Sequence, residues 1–269
     1  MSQPSASESE PLIKTEKRGH VLLIGFNRPK ERNAMNHAML VQFSDAYTRL
    51  ERDDDLRVGV VYAEGKHFTL GLDLPDMRAA IEKERRFPIP DGNIDPFDVK
   101  PDGRRTKPVI VAVHGFCFTL GIELCLAADI RLAAPKTRFA QLEVQRGLMP
   151  FGGATLRMHQ TFGWGNAMRY LLTGDDFDAD EAYRLGLIQE VVEKSSLLKR
   201  AIELAERIAE QAPLAVYAAR GSAIKSRDES QAAATEDLLG ETLKLLETED
   251  FKEGERSFVE KRQAKFKGK

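Results

Sequence analysis

The chain alternates short apolar runs with stretches where apolar residues recur every three or four positions, the mark of interleaved strands and helices. Residues 20–26, 58–62 and 108–115 are apolar runs bounded by turn residues, which predicts buried strands. Asn36 has the form of a helix N-cap, and Leu40, Phe43, Tyr47 and Leu50 follow it at helical spacing. A helix is expected over 121–127, with further strands over 129–134 and 138–140. From Gly153 onward the pattern is mostly helical. Residues 164–173 are closed by Gly174 and 179–185 by Gly186, and 196–211, 213–226 and 231–248 follow. Between Ile81 and Lys107 the periodicity is lost, and Pro88, Pro90, Pro96 and Pro101 stand among charges. A loop of that length is either functional or partly disordered. Residues 1–12, rich in Ser, Pro and Glu, read as a disordered tail. The order predicts an α/β core over 13–195 and a helical appendage over 196–269.

Composition narrows the classes. With 269 residues, 42% hydrophobic and 30% charged, the chain can bury one large core. No run of about 18 apolar residues could span a membrane. The opening decapeptide lacks both an apolar segment and Arg, so neither a secretory signal nor a transit peptide is expected, and the cytoplasm is the default. Cys117 and Cys125 are the only cysteines, which argues against a disulfide scaffold and against a zinc site; no metal is expected. A net charge of −2 disfavours nucleic acid as a partner. The segment 251–269 is the exception, with seven cations against three anions, a net +4 able to hold a small anion. A G-x-S-x-G elbow and a phosphate loop are missing, and Met168 spoils the dinucleotide fingerprint begun by Gly163-Trp164-Gly165.

Two strand–turn–helix passages carry the chemistry. One runs over 60–74, the other over 109–124, each from a buried strand through small residues to a helix start. The first N–H groups of a helix lack intrahelical partners and lie at its positive end. Two such groups converging from separate turns make an oxyanion hole for a carbonyl oxygen that gains charge. Glu123 falls in the first turn of the second helix, and Glu143 follows twenty residues later. Taken singly, Glu123 suits a helix dipole and Glu143 suits a charged surface. In one dry cleft, however, two carboxyls cannot both ionise easily, so acid and base roles separate.

These residues resemble the crotonase superfamily, most closely the enoyl-CoA hydratases. The likeness rests on Asn27-Arg28-Pro29, Gly71-Leu72-Asp73, 107–115, 121–129, 139–143, Leu172-Thr173-Gly174 with 182–187, and 258–262, all in order and spacing from about Leu12 to the C-terminus. It implies a ββα-spiral core with a C-terminal helical trimerisation region, assembled as a homotrimer or a dimer of trimers. It implies an acyl-CoA thioester as substrate, with coenzyme A as part of that substrate rather than a cofactor. Carried onto this sequence, the hole donors are the N–H groups of Leu72 and Leu120, and the hydration carboxylates are Glu123 as base and Glu143 as acid. Leu70, Gly71 and Asp73 line the adenine and pantetheine path. Arg28, with Phe258 and Lys261 from this or a neighbouring subunit, meets the nucleotide end.

The chain departs from its relatives where Thr119-Leu120-Gly121 replaces a Gly-rich turn and Leu72 replaces a common Ala. Both leucines narrow the acyl pocket, and Phe151 reads equally as a pocket wall or as core. The Pro-rich stretch 87–101 reads equally as a lid or as a solvated insertion. Rival functions are an enoyl-CoA isomerase or CoA-thioester hydrolase of the same fold and, from another class, a non-catalytic RNA-binding protein.

Overall fold

The computed structural model describes residues 10–85, 87–100 and 102–269. A six-stranded sheet forms its centre. Strand β1 (Ile13–Arg18) pairs antiparallel with β2 (Val21–Phe26), whose other edge runs parallel to β3 (Val58–Ala63). Beyond β3 come β4 (Val109–Val113), β6 (Ile130–Ala133) and β9 (Glu190–Val191), all parallel. All five residues of β4 are buried, as a strand covered on both faces requires. A second, three-stranded sheet holds β5 (Phe116–Phe118), β7 (Arg138–Ala140) and β8 (Asp176–Asp178) in the order β5-β7-β8.

The chain passes from large sheet to small sheet to helix, and then repeats. Strand β4 leads through β5 into α3 (Leu120–Ala127), and β6 leads through β7 into a 3-10 turn (Glu143–Arg146) and α4 (Ala154–Phe162). The same course is abbreviated earlier. There β3 leads through a single bridge, Thr69 to Cys117, into α2 (Leu74–Glu84), and β2 leads through a bridge from Met35 to Leu72 into α1 (His37–Arg52). Asn36 caps α1 by accepting the Met39 N–H at 2.9 Å, as its position predicted. The main core lies between the large sheet and α1 and α3, while α7 (Lys194–Ala209) covers the other face with Leu197, Ala201, Ile202 and Ala205. Two short helices, α5 (Trp164–Thr173) and α6 (Ala179–Arg184), precede α7.

Three helices follow, α8 (Pro213–Asp228), α9 (Gln231–Leu246) and α10 (Glu249–Glu260). Helix α8 docks through Arg220, which gives hydrogen bonds to Asp129 at 2.8 Å and to the Arg105 carbonyl at 2.7 Å. Asp129 also accepts from the buried Arg105 guanidinium at 2.7 Å and from the Val109 N–H at 2.8 Å. Removing the Asp129 charge leaves the Arg105 cation buried without a counter-ion. Asp129→Asn is therefore expected to cost about 3–5 kcal/mol of stability, read as a lower urea midpoint. An unchanged midpoint would show that the cluster is replaceable. Among the described residues, no helix is long and apolar enough to cross a membrane.

Several elements differ from the sequence expectation. Strand β1 buries only Ile13 and carries polar and charged residues elsewhere, so no alternation was visible. Helix α2 starts at Leu74, where the first passage was expected to reach a helix, and runs on into the stretch read as aperiodic from Ile81; it buries Met77 alone, too little to set a period. The stretch after it is no solvated insertion. Asp95 is buried and accepts the N–H groups of Phe97, Val99 and Lys100, while Arg157 donates to the carbonyls of Phe97 and Asp98. Residues 93–100 thus form an anchored wall. Of the N-terminal tail, 1–9 lie outside the described residues, and Leu12 gives its N–H to Gln42 and accepts from Asn27. In the cationic C-terminal segment, Arg262 is held between Glu253 and Glu260, two of the three anions already counted in its net +4.

Candidate active site

The two strand–turn–helix passages meet. Phe68 and Thr69 give their N–H groups to the carbonyls of His114 and Phe116, and Phe118 returns one to Thr69. This short ladder lays residues 70–72 against 119–120. Gly71 sits at φ +99°, and a Cβ on it would come within 1.9 Å of Thr119 Oγ1, so the turns touch with no room for a side chain between them.

Each turn leaves one N–H over. Gly71 donates to Thr69 Oγ1 at 3.0 Å and Asp73 donates to the Met35 carbonyl at 2.9 Å. Leu72, between them, faces the other way, and its N–H has no partner among the described residues. In the second turn Thr119 donates to Ala140 and its carbonyl accepts from Ile122 and Glu123. Leu120 is the first residue of α3, and its N–H likewise has no partner among the described residues. Thr119 itself adopts φ +50° and ψ −111°, a conformation that favours glycine and stores strain in a β-branched residue.

Glu123 is the one carboxylic acid of α3, a helix otherwise apolar and buried throughout. Its Oε1 accepts the N–H groups of Gly152 at 2.8 Å and Ala154 at 3.2 Å. A Cβ at Gly152 would lie 2.6 Å from the other carboxylate oxygen, which is why glycine stands there. Burial first, and then the neighbouring Glu143 charge, push the Glu123 carboxyl up to about 7 against the pull of those N–H bonds and of Arg157. Glu143 opens the 3-10 turn after β7. Gln141 donates to its Oε1 at 3.2 Å, and its Oε2 is buried without a partner among the described residues. Burial pushes this carboxyl up to about 7 as well.

Both carboxyls line one cavity of about 170 Å³. Its other walls are mostly apolar, formed by Leu70, Leu72, Leu74, Leu120, Leu142 and Leu148 and closed by Phe87 and Phe151 edge to face at 5.6 Å, with Thr119 and Arg146 the polar exceptions. Phe151 is therefore pocket wall, not core. An apolar cavity with a few convergent polar groups of shifted acidity has the character of a catalytic site. A wider groove of about 450 Å³ lies by Arg57 and the C-terminal tail, but that guanidinium is spent on the carbonyls of Ala209 and Phe266.

The structure thus brings Leu70, Leu72, Leu120, Glu123 and Glu143 together. Gly71 packs against Thr119 where the two turns meet. Arg28 and Asp73 pair with each other at 2.8 Å, and Arg28 also donates to the Ala34 carbonyl at 2.8 Å, so both brace the first turn. Phe258 and Lys261 end α10 and are not walls of the cavity; Phe258 is 85% exposed. The roles of Gly152 and Ala154 in holding Glu123 were not foreseen. A Gly-Gly pair before a helix was the one available signal.

Comparison with known proteins gives the family and the fold. Residues 16–269 match the family described as enoyl-CoA hydratase/isomerase. The chain belongs to that family. It is 35% identical over 267 residues to the enoyl-CoA hydratase EchA19 of Mycobacterium tuberculosis, covering 97% of this chain and 98% of that protein. It is 32% identical to the 2,3-dehydroadipyl-CoA hydratase of Escherichia coli, covering 97% and 100%. The crystal structure of a probable enoyl-CoA hydratase/isomerase from Mycobacterium abscessus superposes with a TM-score of 0.92 at 46% identity, covering 96% and 99%. The crotonase fold expected from the motifs is the fold observed.

Proposed function

We propose that the chain hydrates 2-enoyl-CoA thioesters. One observation carries the reading: two buried carboxyls, each held near 7, share a mostly apolar cavity with two main-chain N–H groups that have no partner among the described residues. The thioester oxygen accepts from Leu72 and Leu120, which draws electron density from C3; one such donor contributes about 3–4 kcal/mol. Glu123 takes a proton from water as the water oxygen bonds to C3, and Glu143 gives its proton to C2. The pair ends with its single proton moved from Glu143 to Glu123, and exchange with solvent resets it. Two N–H bonds favour the ionised form of Glu123, whereas the unpartnered Oε2 favours the neutral form of Glu143. Coenzyme A is the handle of the substrate, and no further cofactor enters the reaction. Leu70, Gly71, Asp73 and Arg28 flank its path, with Phe258 and Lys261 of this or a neighbouring subunit at its nucleotide end. Exposed Leu238, Leu239, Leu243 and Val259 on α9 and α10 support assembly as a trimer or a dimer of trimers.

Isomerisation within the same family is the second reading, and it needs only one carboxyl to carry a proton; the pair favours hydration. Absorbance of the conjugated thioester separates them: it falls when a 2-enoyl-CoA ester is hydrated and rises when a 3-enoyl-CoA ester is isomerised. The same assay gives a pH prediction. Below 7 both carboxyls are protonated and no base remains, and above 7 both ionise and no acid remains. The two titrate as a pair, so kcat/KM is expected to peak near pH 7 and fall on both sides. A plateau from pH 5 to 9 would sink the shared-proton mechanism.

A further inference from the structure

One charged wall of the cavity has no part in hydration. Arg146 closes the 3-10 turn that Glu143 opens. With three residues per turn, positions 143 and 146 lie on the same face, about 6 Å apart along the axis. Arg146 accordingly lines the cavity beside Leu142 and Leu148. The intervening Gln145 turns away and donates to the carbonyls of Thr173 and Gly174.

The Arg146 guanidinium is unspent. Among the described residues no carboxylate lies within ion-pair distance of it, and its one hydrogen bond reaches the adjacent Gln145 carbonyl at 3.4 Å. Other arginines of the same region are paired, Arg138 with Asp176 and Arg157 with Asp98. Nor is Arg146 committed to Glu143, whose carboxyl is held high by burial with no cation pulling it down. A planar guanidinium with free donors at the rim of an apolar cavity is complementary to a carboxylate.

We propose that Arg146 selects acyl chains that end in a carboxylate, so that the preferred substrates are short ω-carboxy-2-enoyl-CoA esters. The inference rests on the cavity being the acyl-CoA site and not on hydration itself. The reacting carbons lie at Glu123 and Glu143, and the acid at the chain's far end lies one 3-10 turn away, a span of a few methylenes. Leu142 and Leu148 hold those methylenes and the guanidinium closes the end. A phosphate of coenzyme A is the other anion within the same ligand. Comparing two esters of the same coenzyme isolates the acyl contribution.

The test is binding of two saturated esters, adipyl-CoA and hexanoyl-CoA, to the full chain by titration calorimetry. They differ in a terminal carboxylate and do not react. The expected result is adipyl-CoA bound at least about tenfold more tightly, the scale of one charge-assisted pair at an exposed rim. Arg146→Met should bring the ratio to within about twofold, and Arg146→Lys should restore part of it. Equal affinities in the unmodified protein overturn the selection, as does a ratio that Arg146→Met leaves intact. A fall shared equally by both esters moves Arg146 to the coenzyme and also overturns it. Binding of neither ester overturns the acyl-CoA reading of the cavity itself.

Discussion

Glu123→Gln and Glu143→Gln are each expected to fold and to lose hydration of a short 2-enoyl-CoA ester by about 10³-fold, within the range for a general acid or base. Both substitutions keep the local bonding. A Gln oxygen at 123 still accepts from Gly152 and Ala154, and one at 143 still accepts from Gln141. What is lost is the proton, so a structural role would not reproduce the effect. The residual activity carries a signature: Glu123→Gln loses the acidic limb of the pH profile and Glu143→Gln loses the alkaline one. Stability moves the other way. Each carboxyl is raised from 4.5 to about 7 on folding, so its contribution to stability is intact below 4.5 and is lost as pH rises through 7. Both variants should therefore melt above the unmodified protein at pH 8, with the gap closing toward pH 4.5. Turnover near that of the unmodified protein in either variant removes that residue from the mechanism.

That trade is visible in the sequence only in part. A Glu inside Leu120–Ala127 stands out because every neighbour is apolar, and such a helix has nowhere to lie but in the core. That pattern accounts for its burial, although taken singly Glu123 was read only as suiting the helix dipole, and its partners were not legible at all. Gly152 and Ala154 come from the approach to α4, some thirty residues on, and nothing local ties them to position 123. Glu143 could be paired with Glu123 by family likeness, whereas periodicity left it a surface charge. The structure accounts for this: a three-residue strand and a single 3-10 turn carry it into the cavity, too short a passage to set a pattern. The Pro-rich stretch was obscure for a different reason. Much of its order comes from polar anchors: Asp95 takes three N–H groups, Arg157 reaches across from α4, and Asn93 and Ile94 tie it to Ser44, Asp45 and Thr48 of α1. Hydrophobic periodicity does not register polar anchoring of that kind.

The proposed oxyanion hole is open to a sharper test at Gly71. Gly71→Ala is expected to lower kcat by about 10²–10³-fold, the loss seen when one oxyanion donor is removed. Two costs add. The backbone at φ +99° disfavours any side chain, and the new Cβ would sit 1.9 Å from Thr119 Oγ1 and 3.2 Å from Thr119 Cβ. Relief requires one turn to move. If the first moves, the Leu72 N–H leaves its place; if the second moves, the Leu120 N–H goes with Thr119. Only the steric part depends on Thr119, so the double variant Gly71→Ala with Thr119→Gly should regain at least about tenfold over Gly71→Ala alone. The φ +50° at position 119 is one glycine adopts without strain, so the rescuing change adds no backbone cost of its own. Strictly additive losses in the double variant would mean that the collision between the turns is not what disables the site. Full activity in Gly71→Ala would mean that the two N–H groups do not act on one oxygen.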